Sequence, residues 1–199
     1  MSEFNVTVDG GNSIRLKTAG KYCDRDIVVT AEGGDELDKL LSNQLTTLDS
    51  NATSVKRYTF TSSAKLVSVN LPEATSIANY AFFNCTLLTD VDLHKVESID
   101  ANVFNACYKL TALILRTPTR ATLVNTNAFT NCYHFLGTTN STYNPNGDKD
   151  GYIYVPRSLV DSYKVATNWS TYSTQFRALE DYTVDGTTTG ELDWEKVNA

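Results

Sequence analysis

Several residue types are scarce in this chain, and each scarcity argues against a class of protein. Its 199 residues include one Met, two His, four Pro and four Cys. They contain no apolar run long enough to cross a membrane, so we expect no membrane insertion. The first residues, Met1 to Val8, lack the basic and apolar regions of a secretion signal. The sequence therefore predicts a soluble globular protein of one principal domain with small appendages, not sent through a secretion channel as written.

Basic residues are also in the minority. The chain has 17 Lys and Arg against 23 Asp and Glu, which gives a formal net charge of -6. A surface of this sign repels phosphate backbones, and no cluster of Lys and Arg reverses the charge locally. We therefore expect no nucleic-acid partner.

Histidine and cysteine are too few, or too poorly spaced, for a metal or catalytic site. His94 and His134 have no Ser or Cys at a spacing that indicates a triad, and both are expected at the surface. Cys85, Cys107 and Cys132 form a column, but tetrahedral zinc needs four ligands, and parallel side chains rarely reach disulfide geometry. The column predicts buried free thiols. We expect no catalytic residue, metal or cofactor.

What the chain does contain is a repeat with a period of 22 residues. Three pairs of identical residues share that spacing: Phe82 and Phe104, Cys85 and Cys107, and Leu88 and Leu110. A period of roughly 20 to 50 residues indicates a solenoid. The pattern Leu-x-x-Val-x-Leu places Val69 and Leu71 on one face of a short strand, so stacked coils form a parallel sheet with Phe and Leu columns behind it.

The last coil is interrupted by an insertion. Ile153 to Pro156 matches Val69 to Pro72 by residue type, but only after the polar, turn-rich stretch from Gly137 to Gly151. We predict that residues 137–151 form a surface loop. Its segment from Asn146 to Arg157 partly fits an EF-hand calcium loop, but Arg157 stands where a bidentate Glu is required, so we expect a simple turn-rich loop.

The flanks differ from the repeats. The predicted organisation is a small N-terminal β module (1–34), a capping helix and first edge (35–54), the solenoid with its C-terminal cap (55–180), and an acidic tail (181–199). The tail is expected to be extended or mobile, although Leu192, Trp194 and Val197 are apolar enough to dock. The module has three predicted short strands, the third at Ile27 to Thr30, and they bury too little to be stable alone. Cys23 is expected to be a half-buried thiol. Gly33-Gly34 reads as a hinge, so docking of the module on the solenoid is not enforced. We therefore expect it to form a homo-oligomer.

The run Ile77-Ala-Asn-Tyr-Ala-Phe-Phe-Asn-Cys-Thr-Leu-Leu88, which follows Leu71-Pro72, resembles the BspA-like leucine-rich repeat. The usual form of that repeat is Ile-Gly-x-x-Ala-Phe-x-x-Cys-x-x-Leu, and Ala78 replaces its Gly. The segment from Tyr152 to Tyr172 resembles the closing segment of the same family. In it, Trp169 and Tyr172 can seal the last coil, and Phe176 to Leu179 is predicted to add an edge strand. The resemblance implies a β-rich α/β solenoid. It also implies a binding role, since the family includes cell-surface adhesins of bacteria and protists.

The flanking segments Leu16 to Val29 and Leu179 to Gly186 resemble segments of tail and fibre proteins from phages and prophages of gut bacteria. This resemblance implies a receptor-binding or accessory protein of the virion, found on the virion or outside the cell after release. The alternative location is the bacterial cell surface.

The outward residues of the predicted sheet form the candidate ligand site. They are joined by two tyrosines near the predicted 137–151 loop. The candidate residues are Ser68, Asn70, Asp90, Asp92, Ala112, Ile114, Tyr108 and Tyr133.

Three functional classes follow, and the leading one is a non-enzymatic binding or adhesion module for a protein or cell-surface glycan. The second is a purely structural part of a phage tail. The third and least favoured is a glycan-cleaving enzyme, because Asp90 and Asp92 share a strand face at a separation of about 7 Å but gather no basic or aromatic residues in sequence.

Overall fold

The computed structural model describes residues 45–197 and the backbone of two N-terminal strands, β1 (Ser2–Val8) and β2 (Asn12–Thr18). The predicted third strand near Ile27, the Gly33-Gly34 hinge, Cys23 and nearly all of the predicted capping helix lie outside the described residues. Their predictions stay open. No helix in the described part is long and apolar enough to span a membrane.

Ten further short strands follow in the chain. They are β3 (Thr47–Ser50), β4 (Ser54–Val55), β5 (Ser68–Leu71), β6 (Ser76–Ile77), β7 (Asp90–Leu93), β8 (Ser98–Ile99), β9 (Ala112–Leu115), β10 (Thr122–Leu123), β11 (Tyr152–Val155) and β12 (Phe176–Ala178). The main sheet has the order β1-β2-β3-β5-β7-β9-β11-β12, and β3 to β12 within it are parallel. A second sheet has the order β10-β8-β6-β4.

The register between coils follows the 22-residue period. Ser68 lies opposite Asp90 and Asn70 opposite Asp92. Residues one period apart therefore lie side by side on neighbouring strands. Between β7 and β9 the same offset places Asp92 opposite Ile114. The predicted solenoid with a parallel sheet is confirmed, and β12 is the predicted additional edge strand.

Aromatic and aliphatic columns fill the space behind the main sheet. Phe82, Phe104 and Phe129 are fully buried, and their rings stack in near-parallel fashion with centroids 5.8 and 5.6 Å apart. Phe60 and Phe135 extend this column at its two ends. Because neighbouring coils hold each ring from both sides, the column fixes the spacing of the strands in front of it.

The turns of the coils use left-handed backbone at repeated positions. One column at positive φ contains Tyr58, Tyr80 and Asn102, and a second contains Ser62, Asn84, Ala106 and Asn131. A left-handed conformation costs an L-residue roughly 1–2 kcal/mol, and Asn tolerates it best. Hydrogen bonds to the next coil, such as that from the Asn84 amide to the Asn105 carbonyl at 2.8 Å, help to hold these turns.

Three short helices accompany the last coils: α1 (Tyr133–Leu136), α2 (Val160–Val165) and α3 (Trp194–Val197). The cap after β11 is anchored by its aromatic residues. Trp169 Nε1 donates to the Ala121 carbonyl and the Tyr163 hydroxyl accepts from the Ala121 amide, both at 2.8 Å. Tyr172 donates to the Thr126 carbonyl at 2.8 Å. The predicted sealing of the last coil by Trp169 and Tyr172 is confirmed.

The N-terminal hairpin continues the main sheet. β1 and β2 are antiparallel, and β2 is antiparallel to β3, with Leu16 opposite Leu48 and Ile14 opposite Ser50. The hairpin therefore covers the edge of the first coil. These two strands dock on the solenoid, although the predicted Gly33-Gly34 hinge does not enforce docking, because backbone pairing with β3 attaches them directly.

Candidate functional site

The outward face of β5 and β7 carries four of the predicted site residues. Along both strands, buried residues alternate with half-buried ones, as expected for a strand with one face in a core. Ser68, Asn70, Asp90 and Asp92 occupy the half-buried positions. We call these four residues the polar strip.

Hydrogen bonds cross-link the polar strip. Ser68 Oγ donates to Asp90 at 2.6 Å, Thr89 Oγ1 donates to the same carboxylate at 2.8 Å, and Asn70 Nδ2 donates to Asp49 at 3.0 Å. Burial raises the pKa of Asp90, the two hydroxyl hydrogen bonds oppose that rise, and the charge of Asp92 adds to it. The side chains of the strip are thus held in fixed positions on the sheet.

Asp92 is engaged by a buried arginine. Arg116 Nε lies 2.9 and 3.0 Å from the two carboxylate oxygens of Asp92, and the side chain of Arg116 is only 6% exposed. His94 Nε2 lies 3.4 Å from the same carboxylate. Arg116 Nη1 also donates to the carbonyls of Thr188 and Gly190, each at 2.8 Å. Arg116 therefore joins the polar strip to the C-terminal segment.

Residues 179–197, which we call the C-terminal strap, cover the other end of the sheet face. Ile114 is fully buried and Ala112 nearly so, and both pack with Tyr154, Leu179 and Leu192. The prediction that Ala112 and Ile114 are exposed ligand contacts is wrong, because the strap occupies that surface. The acidic tail docks in part, through Tyr182, Leu192 and Val197, whereas Val184 and Trp194 stay exposed.

The sequence held a signal for this burial. β9 reads Ala-Leu-Ile-Leu, apolar at all four positions, whereas β5 and β7 alternate. A strand without alternation is covered on both faces. Arg116 was also missed, because its two strap partners are more than 70 residues away.

Asp90 and Asp92, the pair of carboxylates that glycan cleavage would require, each have partners within the fold. Asp92 is bound to Arg116, and Asp90 accepts from two hydroxyl groups, so both are used within the fold. Within residues 45–197, no group of three or more His, Cys, Asp or Glu could hold a metal ion. In the loop with the partial calcium pattern, Asp150 pairs with His134 at 2.6 Å.

Tyr108 and Tyr133 lie together, as the sequence analysis proposed for the site, and a third tyrosine joins them. The rings of Tyr108 and Tyr133 stack with centroids 5.3 Å apart and planes 17° from parallel. Tyr143, from the predicted loop, lies 4.6 Å from Tyr108 and 6.4 Å from Tyr133. We call these three half-buried residues the tyrosine platform. Tyr143 was missed because it lies in the insertion, outside the register of the repeat.

The loop holds Tyr143 in place through its backbone. The amide of Tyr143 donates to Asn140 Oδ1 at 3.0 Å, and its carbonyl lies 3.1 Å from His134 Nε2. Asn144, which is 1% exposed, binds the carbonyl and amide of Asp148 at 2.8 and 2.9 Å. His134 was predicted at the surface, but its side chain is only 16% exposed because it makes these contacts.

The cysteine column lies inside the coils. Cys85, Cys107 and Cys132 are buried free thiols, as predicted. Each thiol donates to a carbonyl of the preceding coil, at Phe60, Phe82 and Phe104 respectively, over 3.1–3.2 Å. Burial raises the pKa of Cys107 and of Cys132. These thiols support the fold and take no part in the surface site.

Comparison with known families identifies the repeats. A family model described as "BspA type Leucine rich repeat region" matches residues 39–141 in six copies. The matched region includes the polar strip, Tyr108 and Tyr133, and it ends inside the loop before Tyr143. The N-terminal hairpin and the C-terminal strap lie outside it. No curated protein matches the chain.

Proposed function

The chain belongs to the BspA-type leucine-rich-repeat family, and we propose that it is a non-enzymatic binding or adhesion module for a protein or cell-surface glycan. A leucine-rich-repeat solenoid of this family suggests protein binding or adhesion. Its parallel sheet leaves the β5 and β7 part of one face open to solvent, and such sheet faces are the binding surfaces of repeat proteins. The polar strip and the tyrosine platform are the proposed contacts on that surface.

The observation that carries this proposal is the cross-linked polar strip on β5 and β7. Its side chains are ordered by hydrogen bonds before any ligand arrives, so little conformational entropy is lost on binding. Ser68, Asn70 and Asp90 remain half-buried and reachable, whereas the strap covers Ile114. The proposed site is therefore smaller than the sheet face.

A finer proposal concerns where the module works. The resemblance of residues 16–29 and 179–186 to phage and prophage tail proteins supports a tail-associated receptor-binding protein. The alternative roles are a bacterial cell-surface adhesin and a structural part of tail assembly. Genes for tail assembly on both sides of the coding gene would favour the virion, and genes for surface anchoring would favour the adhesin.

Binding of the fluorescently labelled full chain to cells tests the adhesion role. The panel comprises gut bacterial species and epithelial cells, read by flow cytometry. We expect saturable binding to at least one of them. Asn70→Arg should reduce this binding at least tenfold, because a long cationic side chain then rises from the polar strip.

Thr75→Arg is the matched control, since Thr75 is exposed, lies outside the main sheet and receives the same change of charge. This variant should bind as the parent chain does. Failure of the parent chain to bind any cell type would contradict the adhesion role. Equal losses of cell binding in the two variants would show that the polar strip is not part of the binding site.

A further inference from the structure

Resting on that proposed function, we propose that the tyrosine platform is a carbohydrate subsite that stacks a pyranose ring of a cell-surface polysaccharide. Tyr108, Tyr133 and Tyr143 come from the third coil, the fourth coil and the loop inserted after it. Their centroids lie within 6.4 Å of one another and their planes within 36° of parallel. Tyr108, Tyr133 and Tyr143 are half-buried, so only the outer part of this stacked cluster is open to solvent, and its rings are held in order at small entropic cost.

The loop is built to place Tyr143. The earlier coils pass from their buried cysteine to the next strand without any insertion, as from Cys85 to β7. The fourth coil instead adds a loop whose bends are fixed by Asn140, Asn144 and His134. A connection alone would not need these contacts. They pre-order the third ring beside Tyr108, and pre-ordered contacts raise affinity by lowering the entropy lost on binding.

Exposed polar residues stand beside the platform residues in the sequence. Lys109 follows Tyr108 in the chain, Thr142 precedes Tyr143, and both are exposed, as are Asp148 and Lys149 of the same loop. A pyranose presents C–H groups on its ring faces and hydroxyls around its rim. Aromatic faces flanked by hydrogen-bonding side chains match that distribution, since small polar ligands need a few directed polar groups beside an apolar surface.

A second stacked tyrosine pair, Tyr58 and Tyr80, is less available to a ligand than the platform. Tyr58 stacks on Tyr80 at 5.2 Å and is 50% exposed, but the guanidinium of Arg57 lies over the Tyr58 ring at 4.7 Å. The face of the Tyr58 ring is therefore already occupied by a cation–π contact with Arg57. The pair is therefore a matched control for the platform.

The test uses the full chain with laminarin, yeast mannan, arabinogalactan and chitohexaose as probes, by isothermal titration calorimetry. We expect at least one of them to bind. Tyr108→Ala and Tyr143→Ala should each weaken that binding at least tenfold, whereas Tyr108→Phe and Tyr143→Phe, which keep the rings, should retain most of it. Tyr58→Ala should bind like the parent chain. Thermal unfolding of each variant verifies that it is folded.

Several outcomes overturn the subsite. They are no binding to any of the four probes, equal binding by the parent chain and both alanine variants, and an equal loss in Tyr58→Ala. Polysaccharide binding without cell binding would support the subsite and contradict the adhesion role.

Cells that bind the chain supply a second arm, after mild periodate oxidation or after protease treatment. Loss of binding with periodate alone supports a glycan. Loss with protease alone shows a protein ligand, which overturns the subsite and leaves the adhesion role standing.

Discussion

Two opposing effects act on the carboxylate of Asp90, a half-buried residue of the polar strip. Its partial burial disfavours the charged carboxylate, while Ser68 and Thr89 donate hydrogen bonds that favour it. The net result is a raised pKa. A folded-state pKa above the unfolded value means that the native protein binds the proton more tightly than the unfolded chain does. Ionisation of Asp90 therefore lowers stability as the pH rises above about 3.9, the ordinary pKa of aspartate.

We predict that Asp90→Asn is at least as stable as the parent chain at pH 7. The amide can still accept from Thr89 and can donate to Ser68, and it has no charge to desolvate. The advantage over the parent chain should shrink as the pH falls towards the ordinary aspartate pKa, where Asp90 is protonated. Urea unfolding of both proteins at pH 7 and near pH 4 measures this difference.

Asp161→Asn is the control for that titration, since the Asp161 side chain is 99% exposed. Its effect on stability should depend little on pH. An advantage of Asp90→Asn that grows on acidification would contradict the assigned direction of the Asp90 pKa.

Among the elements, the C-terminal strap depends most on a single side chain. Arg116 is buried between the Asp92 carboxylate and two strap carbonyls, so it neutralises a charge and supplies hydrogen bonds together. An added Cβ at Gly190 would lie 1.9 Å from Asp185 Oδ1, so the exposed Asp185 side chain would have to move. The strap is held at this end of the sheet by the two Arg116 hydrogen bonds and by the apolar contacts of Leu192.

Arg116→Ala should destabilise the protein by about 2–4 kcal/mol, because it leaves the half-buried Asp92 carboxylate and two strap carbonyls without their buried partner. Thermolysin should then cleave within the strap faster than in the parent chain. Arg120→Ala is the control: Arg120 is exposed and makes a single 3.3 Å bond, to the Ser162 carbonyl, so a change in stability within about 0.5 kcal/mol is expected.

Replacing both members of the ion pair, with Arg116→Met and Asp92→Leu, should recover much of the stability lost in Arg116→Ala. Unchanged unfolding and proteolysis of Arg116→Ala would show that the strap is held by its apolar contacts alone.

The elements also show which features a sequence can predict. Coils, strands and the Phe and Cys columns repeat every 22 residues, so periodicity was enough to predict them. The strap has no period, and its attachment depends on a contact between distant residues. Tyr143 stands in an insertion, where the register of the repeat carries no information. The left-handed turn positions were signalled by Asn84, Asn102 and Asn131, but Tyr80 and Ala106 in the same columns obscured that signal.

For the whole molecule, the hairpin changes the basis of the predicted oligomer. Because β2 is paired with β3, self-association would use the free side of β1, the last strand in the order of those that the structure describes. A seven-residue edge strand is a template for pairing with another chain, and charged side chains on an edge oppose such pairing.

We therefore predict that the full chain is oligomeric in solution and that Asn5→Lys with Thr7→Lys makes it monomeric. Light scattering across a range of concentrations measures both states. Thr75→Lys with Thr122→Lys adds the same charge at exposed positions outside the main sheet and should stay oligomeric. If the parent chain is monomeric at every concentration, the hairpin does not mediate self-association and only covers the edge of the first coil.

Several contacts between coils join residues that are 22 positions apart, as in the bonds from Ser68 to Asp90, from Asn84 to Ser62 and from Lys95 to Glu73. Neighbouring coils therefore meet in one register, and an in-frame duplication of one 22-residue repeat preserves that register. Such an event would move the tyrosine platform away from the polar strip by one strand spacing, about 4.8 Å. Duplication or loss of a repeat thus changes the distance between the tyrosine platform and the polar strip by whole strand spacings. Evolution could in this way match that distance to receptors whose binding groups are differently spaced, without altering either surface.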